Sequence, residues 1–210
     1  MMLLLGVCLF GYIIGSIPSA VWIGKWTSGI DVREHGSKNA GATNTFRVLG
    51  KKCGWAVLTI DVLKGTLAVS IPIWFQSCFL GYKDEELILQ LCASIACTLG
   101  HIFPIFAEFR GGKGVATALG ITLGLNPIAA SLSLLIFLVI FVSSRYVSLG
   151  AIAASFFYPF ISFFVVKEDA RIMIVFTIIL GFSIIIAHRK NIKRLLKGEE
   201  NRMNLLKRKA

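Results

Sequence analysis

The sequence predicts an all-α integral membrane protein, a bundle of about seven transmembrane helices with its N-terminus outside and its C-terminus in the cytoplasm. Three observations predict it. The chain is 56% hydrophobic and 16% charged, with a mean hydropathy of +0.77, where soluble domains hold about 45–50% apolar and about 25% charged residues. The apolar residues come in runs near the length of about 20 that spans hydrocarbon. The cations gather at alternate ends of those runs, as the positive-inside rule requires.

The runs fall at residues 2–23, 55–77, 87–106, 114–126, 127–143, 147–166 and 171–187. No Lys or Arg precedes the first, so it lacks the charged leader of a signal peptide and reads as a retained helix. The fourth rises only about 20 Å as a helix; either it starts earlier or it crosses part of the bilayer. Asn126-Pro127 makes a tight turn into the fifth. No stretch is long enough to fold outside the bilayer, so residues 1–210 form one transmembrane domain ending in a basic cytoplasmic tail, 190–210.

With the N-terminus outside, the first, third and fifth loops and the tail carry 18 of the 22 Lys and Arg residues. Lys83, Lys167 and Arg171 lie outside, and Lys64 lies within the second span. The formal net charge of +11 is therefore mostly a topology signal, with affinity for anionic lipid as its corollary. Nucleic acid is not implied, because aromatic and basic residues do not interleave. Cys8, Cys53, Cys78, Cys92 and Cys97 form no CxxC pair and read as small buried hydrophobes.

On this topology the polar clusters share the cytoplasmic side. They are "GSKNAGATNTFRVLG" (36–50), "GHIFPIFAEFRGGKGVAT" (100–117), "SSRYVSLG" (143–150) and "HRKNIKRLLKGEE" (188–200); Gly15 to Ser19 adds a fifth within the first span. In the second cluster, Arg110-Gly111-Gly112-Lys113-Gly114 precedes a helical run. Glycines let backbone N–H groups approach an anion, and a helix N-terminus adds donors and partial positive charge. The segment has the physics of a phosphate cradle without P-loop spacing; an interfacial turn with snorkelling cations reads equally well. The first cluster, with Ser37, Asn39, Thr43, Asn44, Thr45, Lys38 and Arg47, can wrap a small polar ligand. In the fourth, His188, Arg189 and Asn191 stand at the end of the last helix.

His35, His101 and His188 lack metal-ligand spacing, and no metal is expected. His101 reads as a helix-orienting hydrogen bonder. Asp61 and Lys64, at i and i+3 within the second span, share a helix face; they are either functional or a structural ion pair turned to the bundle interior.

Six ordered blocks resemble the bacterial acyl-phosphate:glycerol-3-phosphate acyltransferase family: "GSIPSA", "GSKNAGATNTFRVLG", "DVLKG", "GHIFPIFAEFRGGKGVAT", "SRYVSLG" and "HRKNIKRLLKGEE". The resemblance covers nearly the whole chain and implies the seven-span topology that the charges give independently. It implies transfer of an acyl group from acyl phosphate to sn-glycerol 3-phosphate, giving 1-acyl-glycerol 3-phosphate and phosphate, the first acylation of bacterial phospholipid synthesis. Carried over by position, Ser37, Lys113 and His188 are the expected catalytic residues. Asn39, Arg47, Gly112, Gly114, Arg145, Ser148 and Asn191 are the expected substrate-binding residues. No cofactor or coenzyme A is expected, nor any partner beyond the two substrates and membrane lipids, and the protein is expected to act as a monomer in the bacterial plasma membrane with its site on the cytoplasmic side. Direct attack by the glycerol hydroxyl is the expected route, with an acyl-enzyme on Ser37 as the covalent alternative. A transporter or flippase for a phosphorylated solute is the competing reading; it calls for midplane sites on inverted repeats, and the chain shows no repeat.

Overall fold

In the computed structural model, residues 2–75 and 86–203 are described, and every regular element among them is helical. Cys78 and Lys83 lie outside the described residues. The chain divides into two compact units at Pro127/Ile128. The first holds α1 (Met2–Gly15), α2 (Ser19–Ser28), α3 (Ala42–Val48), α4 (Lys51–Phe75), α5 (Glu86–Ile102) and α6 (Val115–Leu125). In the second, α7 (Pro127–Ser144) leads to α8 (Val147–Phe160), then α9 (Arg171–Ala187) and α10 (Arg189–Leu196).

Apolar helices occupy all seven expected stretches. Five segments are long and apolar enough to cross a membrane: Met2–Ser28, Lys51–Ile73, Glu86–Ala107, Pro127–Ser144 and Val147–Val165. Helix α9 reaches that length only together with α10, from which it is bent by 59°. Helix α6 begins at Val115 and no earlier. Its 11 residues span roughly 16 Å, about half of a hydrocarbon core near 30 Å thick.

The first run differs from its expectation, because the helix breaks between Gly15 and Ser19. Pro18 has no N–H to continue the ladder and its ring displaces the carbonyl four residues back. The chain tightens instead, with Ile17 N–H donating to the Ile14 carbonyl at 3.2 Å, and α2 restarts with Val21 and Trp22 N–H on the Pro18 carbonyl, both at 3.0 Å.

Two seams hold the first unit together. On α1, a Cβ at Gly11 would stand 2.6 Å from the Ala93 carbonyl oxygen, and one at Gly15 would run into that of Cys97; from α5, one at Gly100 would strike that of Tyr12. Between α4 and α6, a Cβ at Gly65 would strike the Thr117 carbonyl and one at Gly120 the Val62 carbonyl. Thr66 Oγ1 donates across the same seam to the Gly120 carbonyl at 3.0 Å. Such backbone-to-backbone contact suits helices in lipid, where close packing and hydrogen bonds replace the hydrophobic drive. In the second unit Ala129, Tyr158 and Ile161 form a buried cluster that joins α7 to α8 and the π-helical turn Ile161–Val165. Val139, Val142, Phe164 and Phe182 are more than half exposed, as lipid-facing side chains are.

Candidate active site

The charges inside the second span find each other. Lys64 Nζ lies 2.9 Å from Asp61 Oδ1, and the two side chains are 3% and 1% exposed. Isolated charges at this depth are costly and so come paired and hydrogen-bonded. The pair also stitches the broken first span. Lys64 Nζ donates to the Ile17 carbonyl at 3.1 Å, just past the C-terminal end of α1. Ser19 Oγ, at the start of α2, donates to Asp61 Oδ1 at 2.7 Å. A cation thus meets the negative end of one helix and an anion the positive end of the next.

Above this pair lies the glycine loop. Gly111 N–H donates to the Ile102 carbonyl at 3.1 Å and Gly112 N–H to the His101 carbonyl at 3.2 Å, folding the loop back on the end of α5. A Cβ at Gly112 would collide with the His101 ring and come within 2.8 Å of the Ala40 carbonyl oxygen. Only glycine fits there, and the contact brings the first polar loop against the second. Gly114 precedes α6 at φ +78°, a left-handed conformation that glycine adopts without steric cost. Lys113 is half-buried between these glycines, directly before the N-terminal turn of α6, whose amides have no partner within the helix.

The first polar loop has its own hub. Asn44 is fully buried. Its Oδ1 accepts from Ser37 N–H at 2.8 Å, and its Nδ2 donates to the Val32 and His35 carbonyls at 2.7 and 3.1 Å. Gly36, at φ +58°, packs on the same amide. Ser37 and Asn39 are half-buried on this loop, and Arg47 is half-buried in the last turn of α3. Arg33 ties the two loops a second time by donating from a guanidinium nitrogen to the Ala107 carbonyl at 2.7 Å. Asp31 holds it through both carboxylate oxygens. Hydrogen bonding to Arg33 outweighs burial and keeps the Asp31 carboxyl below its ordinary range. An open groove nearby sets Lys25, Arg33 and Arg110 against Asp31, Glu34 and Glu108; the charges balance, so it offers no net attraction to an anion.

The expected residues of the second unit gather on Glu200. Its Oε1 accepts from Ser148 Oγ at 3.0 Å and from Asn191 Nδ2 at 2.8 Å, while Oε2 accepts from Arg194 Nε at 2.7 Å. Burial raises the Glu200 pKa, but hydrogen bonds from Arg194, Asn191 and Ser148 outweigh it and leave the carboxyl below its ordinary value. Arg145, at φ +62°, accepts through its carbonyl from Met203 N–H at 2.8 Å. Tyr146 meets Arg202 through its hydroxyl at 3.2 Å and its ring at 5.4 Å. His188 is buried at the α9–α10 bend, with Nδ1 at 2.8 Å from the Ile184 carbonyl. A carbonyl oxygen only accepts, so Nδ1 carries a proton directed at it.

The structure therefore brings Ser37, Asn39, Gly112, Lys113 and Gly114 onto two touching loops of the first unit, and ties Ser148 and Asn191 to one carboxylate in the second. Sequence reasoning missed Asn44 as a hub, together with Arg33 and Glu200. Asn44 and Glu200 lie in polar blocks that it had marked and Arg33 stands just before the first of them, but the partners of all three are set by the fold. Among the described residues, no three His, Cys, Asp or Glu side chains come close enough together to hold a metal ion.

Comparison with known proteins gives one family throughout. Residues 5–198 match the family described as glycerol-3-phosphate acyltransferase. A glycerol-3-phosphate acyltransferase of Fusobacterium nucleatum is 46% identical over 191 residues, 91% of this chain and 93% of that protein. Another, from Chlorobaculum tepidum, is 40% identical over 97% of this chain and 98% of its own. The crystal structure of PlsY, an integral membrane glycerol 3-phosphate acyltransferase, in its glycerol 3-phosphate form is 39% identical over 97% of this chain and 96% of that one, with a TM-score of 0.85. Its lysophosphatidic acid form superposes with a TM-score of 0.82.

Proposed function

The chain belongs to the glycerol-3-phosphate acyltransferase family, and from that premise we propose that it takes its acyl group from acyl phosphate, delivers it to the 1-hydroxyl of sn-glycerol 3-phosphate, and works at the cytoplasmic face of the bacterial plasma membrane. The observation that carries this reading is the glycine loop. Gly112 admits no side chain and locks the loop against the first polar loop, and Lys113 follows it at the N-terminus of α6. An ammonium group, a helix N-terminus and close glycine backbone are together what a phosphate dianion needs.

In this reading the glycerol oxygen attacks the acyl carbon, the bond from that carbon to the phosphate oxygen breaks, and inorganic phosphate leaves. Lys113 and Arg47 hold phosphate and stabilise the charge that grows on it. Gly112 and Gly114 supply close backbone, while Ser37 and Asn39 bind substrate oxygens from the loop shaped by Asn44. His188 is the general base that takes the hydroxyl proton, its Nδ1 being engaged by the Ile184 carbonyl. Asn191, Ser148 and Arg145 orient substrate. The donor is already activated by its phosphate leaving group, so the scheme needs no cofactor or metal.

The test is an assay on detergent-purified protein with acyl phosphate and glycerol 3-phosphate, acyl-CoA and acyl carrier protein serving as rival donors. Phosphate release matched one for one by 1-acyl-glycerol 3-phosphate is expected with acyl phosphate alone. Equal turnover with acyl-CoA would overturn the donor assignment. A protein that acts only in sealed vesicles would be a transporter.

A further inference from the structure

We infer that His101, backed by Asp61, is a positioning residue that sets the glycine loop and Lys113; its role in turnover rests on the acyltransferase reading above. His101 grips the chain on both sides of Lys113. Before the lysine, the His101 carbonyl accepts from Gly112 N–H at 3.2 Å. After it, Nδ1 of the same residue lies 3.1 Å from Thr117 Oγ1 in the first turns of α6. Thr117 is fully buried and His101 is 6% exposed. The ring has little freedom, because Gly112 packs against its Nε2 edge and Asp61 Oδ1 stands 3.8 Å from Nδ1 on the other side.

Asp61 is itself fixed by Lys64 and Ser19, and Lys64 by the Ile17 carbonyl at the break of the first span. A line of contacts therefore runs from the helix break, through the buried ion pair and the imidazole, to the loop that ends in Lys113. Its members come from α2, α4, α5 and α6, so none can shift alone. This gives the ion pair a use beyond filling the bundle interior. A phosphate-binding ammonium must be held to within a fraction of an ångström, and a misplacement of about 1 Å costs on the order of a hundredfold in rate.

The test compares His101→Leu, His101→Asn and Thr117→Val in detergent, reading amide hydrogen exchange of the Arg110–Val115 segment alongside kcat/KM for glycerol 3-phosphate. The Asn side chain keeps a polar group near the place of Nδ1; Leu keeps only bulk. Exchange of the loop amides is expected to rise at least about tenfold in His101→Leu and Thr117→Val, with α1 and α5 protection unchanged, and kcat/KM to fall roughly tenfold to a hundredfold. His101→Asn is expected to restore most of both. Unchanged loop exchange in His101→Leu, or in Thr117→Val should His101→Leu not purify, overturns the inference whatever the activity. So does lost activity in His101→Asn with loop exchange at the parent level. If the parent chain itself lacks acyltransferase activity while loop exchange responds as expected, the tether stands and the functional reading falls.

Discussion

In the first unit a buried carboxylate, Asp61, lies in the middle of a transmembrane helix and accepts from Ser19 and Lys64. In the second unit another, Glu200, lies beyond the end of α10 and accepts from Ser148, Asn191 and Arg194. Each gathers side chains from separate elements onto a single acceptor, but their surroundings differ. Asp61 and Lys64 are both out of water, so neither tolerates the loss of the other. The partner cation of Glu200 is 36% exposed, so water can replace part of what that contact supplies. The same chemical device is therefore a dry brace in one unit and a clasp partly open to water in the other.

The largest expected effect breaks the brace. Asp61→Leu leaves Lys64 buried without its counter-charge and should cost about 3–5 kcal/mol of stability. The double change Asp61→Leu with Lys64→Met should recover much of the thermal stability in detergent, since it removes both charges. If the single variant melts with the parent, the pair is not a brace.

Next comes the lysine that the brace serves. Lys113→Ala should lose roughly 3 kcal/mol of transition-state stabilisation, about 10²-fold in kcat/KM, with little change in melting. Lys113→Arg should regain only part, because the planar guanidinium is wider than an ammonium and the turn is crowded. Steady-state kinetics on both variants decides it; equal activity of Lys and Arg with a mild Ala effect would mark Lys113 as an interfacial cation only.

Ser37→Ala separates shape from chemistry on the first loop. The loop is held through the Ser37 backbone N–H, not its hydroxyl, so melting should stay within about 0.5 kcal/mol of the parent. Activity should drop about tenfold or more if the hydroxyl holds a substrate oxygen. An acyl group trapped on Ser37 would replace direct attack by the covalent route.

The smallest expected effect concerns the clasp. Glu200→Gln keeps one acceptor oxygen but loses the ion pair with the partly exposed Arg194, which should cost about 0.5 kcal/mol. The folded pKa of Glu200 is depressed, so the clasp's contribution is complete above the ordinary carboxylate range and is lost as pH falls through the folded value. Melting of the parent should therefore fall more steeply below about pH 4.5 than melting of Glu200→Gln. Parallel pH profiles would show that Glu200 contributes no acid-sensitive stability.

How much of this was legible in the sequence follows the same division. Hydropathy marks the apolar helices, even α6, which is too short to cross, because a lipid-facing helix must be apolar, and the i, i+3 spacing marks Asp61 and Lys64 as neighbours on one face. The polar blocks are legible because small polar residues have no place in lipid. The break at Ser16–Pro18 is read through by any window of about 20 residues, and only the marked polarity of Gly15 to Ser19 hints at it. Bonds such as Arg33 to Ala107, or Ser148 to Glu200, join residues 74 and 52 positions apart. They follow from where the helices end, and no period or motif encodes that.

The glycine seams of α1 on α5 and α4 on α6 carry one more consequence. With carbonyls and Cα atoms already touching, no gap the width of a methylene chain remains along either crossing. A fatty tail cannot thread through these two joints, so they act as sealed walls of the first unit. Widening a joint at Gly65 or Gly120 would force the walls apart before it admitted an alkyl chain.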